Sequence, residues 1–283
     1  MKAWVVFLWV LLVLAFVIGP PLVAPELVNG TRAKQALIKP ARPWRSLALP
    51  PVAKPPQPQL IGAGTPYETP YFVFRGARNG PVVLVESGIH GDELAGTYAL
   101  DEIVREIKVD AGAVVVIPRM NMPAVERHVR FINYDLNRAF ADPSRRAPYE
   151  FPLAQEIMAV AGREKVDYVI TLHEAHQAYD PAVVQGLGQS ICYGVLPAPP
   201  YLKDWIGALN ARIADPRQHF LARYFPIPTS STEVMVANLR LKGGFCVETW
   251  REFAMPYRVQ LQRAAVETFL LTVHVGYHLD GGR

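Results

Sequence analysis

The chain has 283 residues, of which 51% are hydrophobic and only 19% charged, with a formal net charge of +4. That length and composition allow a full core in one large domain. With no Lys/Arg cluster in so weakly basic a chain, a nucleic-acid partner is excluded.

The first element is apolar. Met1 and Lys2 precede an unbroken apolar run over residues 3–18, followed by Gly19, Pro20 and Pro21. The run predicts an apolar helix that is either an uncleaved membrane anchor or an export signal. The uncharged stretch 3–25 matches the roughly 20 residues that a bilayer requires. A bulky Leu22 stands in the cleavage region before Val23 and Ala24, which favours the anchor. Lys2 places the N-terminus inside and the body outside the cytoplasm, in the periplasm if the source is bacterial. Prolines then recur at 40, 43, 50, 51, 55, 56 and 58, the composition of a semi-extended tether. The expected organisation is a signal segment over 1–25, a Pro-rich linker over 26–59 and a catalytic domain over 60–283.

Within that domain, short β-branched runs predict strands at 71–74, 81–85, 113–117, 167–172, 191–195 and 245–248. Their apolar character without alternation fits strands covered on both faces. Helical patterns lie between them at 94–107, 151–162, 202–214 and 256–274. The expected class is α/β: a mixed, mostly parallel central sheet flanked by helices. In such sheets, sites form in the loops at the carboxyl ends of strands. Cys192 and Cys246 sit in strand-like runs, as a disulfide or as two buried thiols.

Four blocks carry chemistry. Gly88-Ile89-His90-Gly91-Asp92-Glu93 follows the 81–85 strand and opens a helix, so one imidazole and one carboxylate can face the same point. His173, in the run after 167–172, supplies a second imidazole. Two imidazoles, one carboxylate and an open position make a catalytic zinc set. His176 lies close to it and reads as an outer or solvent-facing residue. Glu174 follows His173, but His-Glu-x-x-His is absent, so this is not a zinc-protease helix. The polar loop 130–138 combines Arg130, Asn133, Asp135, Asn137 and Arg138. Read functionally it is an anion clamp, because a guanidinium matches a carboxylate. Read structurally it is a solvated turn. Glu248 ends an apolar strand, where burying it is costly unless it is used. Near a metal it can act as general base.

The order His-x-x-Glu, Asp-x-Asn-Arg, strand–His and strand–Glu resembles the zinc metallocarboxypeptidases. Carboxypeptidase A and, more distantly, the succinylglutamate desuccinylase/aspartoacylase deacylases belong to that group. The resemblance runs from about residue 71 to the C-terminus. It implies one zinc ion held by His90, Glu93 and His173, with Asp135 fixing the His90 ring. Asn137 and Arg138 would grip a substrate carboxylate, Arg130 would stabilise an oxyanion with Arg127 as competing candidate, and Glu248 would be the base. A family tyrosine that closes over substrate has only Tyr224 near its place.

Three functions follow as expectations. An exported zinc carboxypeptidase would cleave peptides beside their free carboxylate, cell-wall peptides among them. A single helix after Glu248 and the export signal favour this reading. The alternative is an N-acyl amino acid deacylase, and the third an inactive, membrane-tethered binding protein. Glu233 is expected either in a side-chain pocket, selecting a basic or diamino residue, or on the surface.

Overall fold

The computed structural model describes residues 56–141 and 148–280. The expected anchor and nearly all of the tether fall outside the described residues. Nine strands form one sheet: β1 (Gln59–Ile61), β2 (Thr69–Arg75), β3 (Arg78–Ser87), β4 (Ile107–Ile117), β5 (Tyr168–Ala175), β6 (Ser190–Tyr193), β7 (Leu221–Tyr224), β8 (Gly243–Trp250) and β9 (Gly276–Leu279). The order is β1-β2-β4-β3-β5-β8-β6-β7, with β9 pairing β4 at its other end. The centre β4-β3-β5-β8 is parallel, whereas β1-β2, β2-β4, β4-β9 and β6-β8 are antiparallel. The β6–β7 pair at one edge is parallel as well, so the sheet is mixed, as expected, with parallel and antiparallel pairs in equal number.

The central strands are apolar on successive residues because helices cover both faces. On one face Val83, Val85, Ile170, Leu172, Phe245 and Val247 pack with helices α1 (Ala95–Glu106), α5 (Tyr201–Asn210) and α7 (Met255–Thr272). Trp205 and Phe269 meet edge to face at 4.7 Å in this layer. On the other face Leu84 and Val169 pack with α3 (Leu136–Ala139), α4 (Glu150–Arg163) and α6 (Ser231–Leu239). A short α2 (Met122–Arg127) follows β4 and is capped by the side chain of Asn121. No helix of the described residues is long and apolar enough to cross a membrane.

Two features of the sheet position the site. The parallel register sets His173 of β5 beside Glu248 of β8. The carboxyl end of β3 delivers residues 88–94 to the same rim. Gly88 turns the chain with φ +68°. At Gly91 an added Cβ would lie 2.0 Å from the backbone carbon of Ala124, so only glycine allows the loop to rest on α2.

Candidate active site

His90 and Glu93 meet His173 at the carboxyl end of the parallel centre. His90 Nδ1 lies 2.9 Å from Glu93 Oε1, and His173 Nδ1 lies 2.8 Å from Glu93 Oε2. The two rings are 5.0 Å apart. All three side chains are buried, and their donor atoms lie within 4.8 Å of one another. Burial opposes charge on His90, but Glu93 and the Asp135 hydrogen bond together outweigh it and lift His90 to about 9. Burial likewise opposes charge on Glu93, yet the two imidazoles hold its carboxyl well below the usual range. Both Nδ1 atoms thus meet a single carboxylate, the donor set that a divalent cation needs. The set fits zinc: two nitrogens, one carboxylate and a side open to a cleft.

Asp135 orients this group. Its Oδ1 lies 3.2 Å from His90 Nε2 and also accepts the Asn137 N–H at 2.9 Å, capping α3. Its Oδ2 accepts from Arg130 Nη2 at 3.3 Å. Burial works against the Asp135 charge, but His90, Arg130 and the Asn137 N–H hold it down at about 2. An ionised carboxylate on Nε2 leaves Nδ1 as the coordinating atom.

The cleft beside these residues has a volume of about 500 Å³ and is lined by Arg130, Asn137, Arg138 and Glu248 as well as by the metal set. Asn137 Oδ1 accepts the Ser231 N–H at 2.8 Å, which leaves its NH2 group as the free donor. Arg138 Nη1 is buried with no hydrogen-bond partner among the described residues. Such an orphaned cationic donor is costly unless a ligand completes it. Glu248 is pushed up to about 7, by burial first, with Glu93 adding to it and His173 opposing it. Its Oε1 accepts weakly from the Cys246 thiol at 3.5 Å.

The far wall of the cleft is made by β6, β8, α6 and the approach to α6. Cys192, Gly194, Phe225, Ile227, Thr232, Glu233, Gly244 and Cys246 line it. Glu233 points one oxygen at the Ile227 N–H, 2.6 Å away. A Cβ on Gly194 would fall 2.1 Å from Glu233 Oε1, so a larger residue there would displace this carboxylate from its present place. Cys192 and Cys246 are free thiols that face each other across the β6–β8 pair.

The structure brings every residue of the expected site to this cleft or, for Asp135, directly behind it. Arg130 lines the cleft, whereas Arg127 lines a separate cavity of about 180 Å³. His176 also borders the cleft rather than standing apart from it. Tyr224 does not line it and packs on Tyr193 instead. His173 stands near the end of its strand, as expected, though β5 continues two residues further to Ala175, with Glu174 paired to Arg258 and accepting the Ala95 N–H at the start of α1. Sequence reasoning did not single out Ser231, which orients Asn137 through its backbone, or Arg251, which lies 2.9 Å from Asp92. A backbone donor leaves no signal in side-chain identity. Arg251, three positions after Glu248, was visible but lacked a partner until the loops met.

Fold and site together resemble the zinc metallocarboxypeptidase type that the motifs pointed to. Residues 79–183 match the model of the succinylglutamate desuccinylase/aspartoacylase catalytic domain, so the resemblance seen in the motifs holds. A succinylglutamate desuccinylase of Burkholderia cenocepacia is 36% identical over 86 residues, covering 28% of this chain and 24% of that protein. An N-acyl-aromatic-L-amino acid amidohydrolase (carboxylate-forming) A of Danio rerio is 35% identical over 105 residues, 32% of each. The match thus spans about a quarter to a third of these curated relatives. In structure the chain resembles the mDAP-bound form of Helicobacter pylori Csd4, a D,L-carboxypeptidase: TM-score 0.66, 24% identity, 74% of this chain and 56% of that one. That likeness concerns the fold.

Proposed function

We propose that this chain is a zinc-dependent hydrolase that cleaves an amide bond beside a free carboxylate, and that it acts as an exported carboxypeptidase on peptides, cell-wall peptides among them. One observation carries the reading: the metal set, the orphaned Arg138 donor and the raised Glu248 carboxyl all open on one cleft. Arg138 and the Asn137 NH2 hold the substrate carboxylate, which fixes the neighbouring amide with respect to the base. His90, Glu93 and His173 would hold the zinc ion, which would supply acidification of water and polarisation of the carbonyl. Glu248 takes the proton from the attacking water and returns it to the leaving nitrogen, so that water and amide become acid and amine. Arg130, which lines the cleft and is 44% exposed, stabilises the developing oxyanion, a contribution on the order of 2.7–4 kcal/mol for one such donor.

Glu233 supports a preference at the side-chain wall. Its carboxylate attracts an amine, as on a lysine or diamino acid, and repels a second carboxylate such as that of glutamate. Deacylation of N-acyl amino acids is the second reading, favoured by the match of residues 79–183 and by the activities named for the curated relatives. An inactive binding protein, tethered through the N-terminal segment, is the third.

Mass spectrometry of a substrate panel separates these readings. Peptides ending in lysine, a diamino acid or glutamate and a set of N-acyl amino acids are incubated with the full chain. We expect loss of the C-terminal residue, fastest for the basic ends. Glu248→Gln should retain zinc and be slower by about 10²–10⁴-fold; near-normal rates would remove Glu248 as base. Glu233→Gln should erase most of the basic preference, and an unchanged preference would place selection elsewhere. Removal of acyl groups without trimming would favour the deacylase. Bound zinc with no cleavage of any substrate would favour the binding protein.

A further inference from the structure

Arg251 lies outside the cleft and takes no part in the proposed chemistry, yet its guanidinium reaches the loop that carries the metal set. Its Nη2 is 2.9 Å from Asp92 Oδ2 and 3.8 Å from Glu93 Oε1, ion pairs rather than aligned hydrogen bonds, since Nη2 has no hydrogen-bond partner among the described residues. The Arg251 side chain is only 18% exposed. Its backbone is fixed separately: the N–H donates to Ala175 O at 2.9 Å, extending the β5–β8 pairing past Trp250. The side chain therefore starts three residues beyond Glu248 and ends on the neighbour of Glu93. On the loop's other side, the Gly91 N–H donates to Arg130 O at 3.2 Å, and Gly91 rests on Ala124. Two guanidiniums thus flank Glu93. Arg130, 3.5 Å from Oε1 and 44% exposed, faces the cleft; Arg251 faces the scaffold.

We propose that Arg251 is a positioning residue: through its ion pair with Asp92 it pins the 88–93 loop to the Glu248 strand and so sets where Glu93 stands relative to His173 and Glu248. The inference rests on the metal reading above. Charge alone argues for the opposite outcome, because a guanidinium beside a cation site opposes the cation. Removing it would tighten zinc binding if the field were the only effect. Positioning predicts weaker binding, since loss of a partner that orients a ligand typically costs about 10–100-fold in metal affinity. The sign of the change in Arg251→Gln therefore separates the two.

The experiment is zinc affinity of the full chain by competition with a chromophoric chelator, with thermal unfolding of the metal-free proteins alongside. Arg251→Gln and Asp92→Asn should each weaken zinc about tenfold or more. The double variant should be no worse than the weaker single one, because both changes break the same link. A structural role without positioning would lower the unfolding temperature and leave the affinity unchanged. Unchanged or tighter binding in Arg251→Gln, or additive losses in the double variant, would overturn the proposal. Should Arg251→Gln fail to fold, Asp92→Asn carries the test, and unchanged affinity there overturns it equally. A wild-type chain that binds no zinc overturns the metal reading itself, whereas unaltered variants of a zinc-binding wild type overturn this inference alone.

Discussion

Glu248 illustrates how a residue acquires its chemistry from its neighbours. It stands on an apolar strand beside His173, and burial lifts its carboxyl to about 7. A base has to be ionised to act, so the raised value sets an acid limit on turnover. A bound cation favours the ionised form and moves that limit down. The activity kcat/KM should fall with a single proton as pH drops below about 7, with the midpoint at or below that value. A pH–rate profile under saturating zinc checks this, and a profile with its only limb at alkaline pH would exclude Glu248 as the titrating base. At the same scale, Arg138 is defined by what it lacks: a guanidinium with a buried, unpaired donor is poised for a planar anion.

At the scale of elements, β3 and β5 carry a second buried carboxyl away from the chemistry. Glu86 is wholly buried, accepts from Thr171 at 2.9 Å, and leaves Oε2 without a partner among the described residues. Burial raises it from 4.5 to about 8, with the Thr171 hydroxyl opposing. The folded chain therefore keeps a proton that the unfolded chain releases near pH 4.5. Its stabilising share is complete below that pH and is lost as pH rises toward 8. Wild type should lose stability between pH 5 and 8 relative to Glu86→Gln. A relative loss of at least ~1 kcal/mol would appear as about 2–4 °C in unfolding temperature for a chain of this size. Equal pH slopes in thermal melts would mean that Glu86 stays ionised or gains a partner.

Elements were legible where local pattern decides. The apolar runs behind β2 to β6 and β8, and the amphipathic periods of α1, α4 and α5, could be read directly, whereas α7 is buried on most sides and shows by its length. The three-residue β1 and the largely exposed β7 lack an apolar run. Helix α6 packs between other elements and has no polar face to reveal its period. Helix α3 is a four-residue turn held by Asp135, so its signal was polar and read as a loop. β5 and β8 run past their expected limits because their parallel pairing continues through His173–Glu248, Glu174–Thr249 and Ala175–Trp250.

For the whole molecule, the mixed sheet is what turns separate motifs into a site. Its parallel centre gathers the carboxyl ends of β3, β5 and β8 at one rim, while antiparallel β6 returns alongside to wall the cleft. The metal set, the base and the clamp could be named from sequence because each block carries an unusual polar residue at a strand end or in a turn. Of the side-chain wall only Glu233 could be named, as one of two alternatives, and the Asp92–Arg251 link not at all, since both depend on contacts between distant segments. Zinc content of the purified full chain, compared among wild type, His173→Ala, Glu93→Ala and Glu248→Gln, tests the account most directly. It predicts one ion per chain in wild type and Glu248→Gln, and loss of that ion in the other two. A wild type without zinc, or a His173→Ala chain that keeps it, would contradict the account.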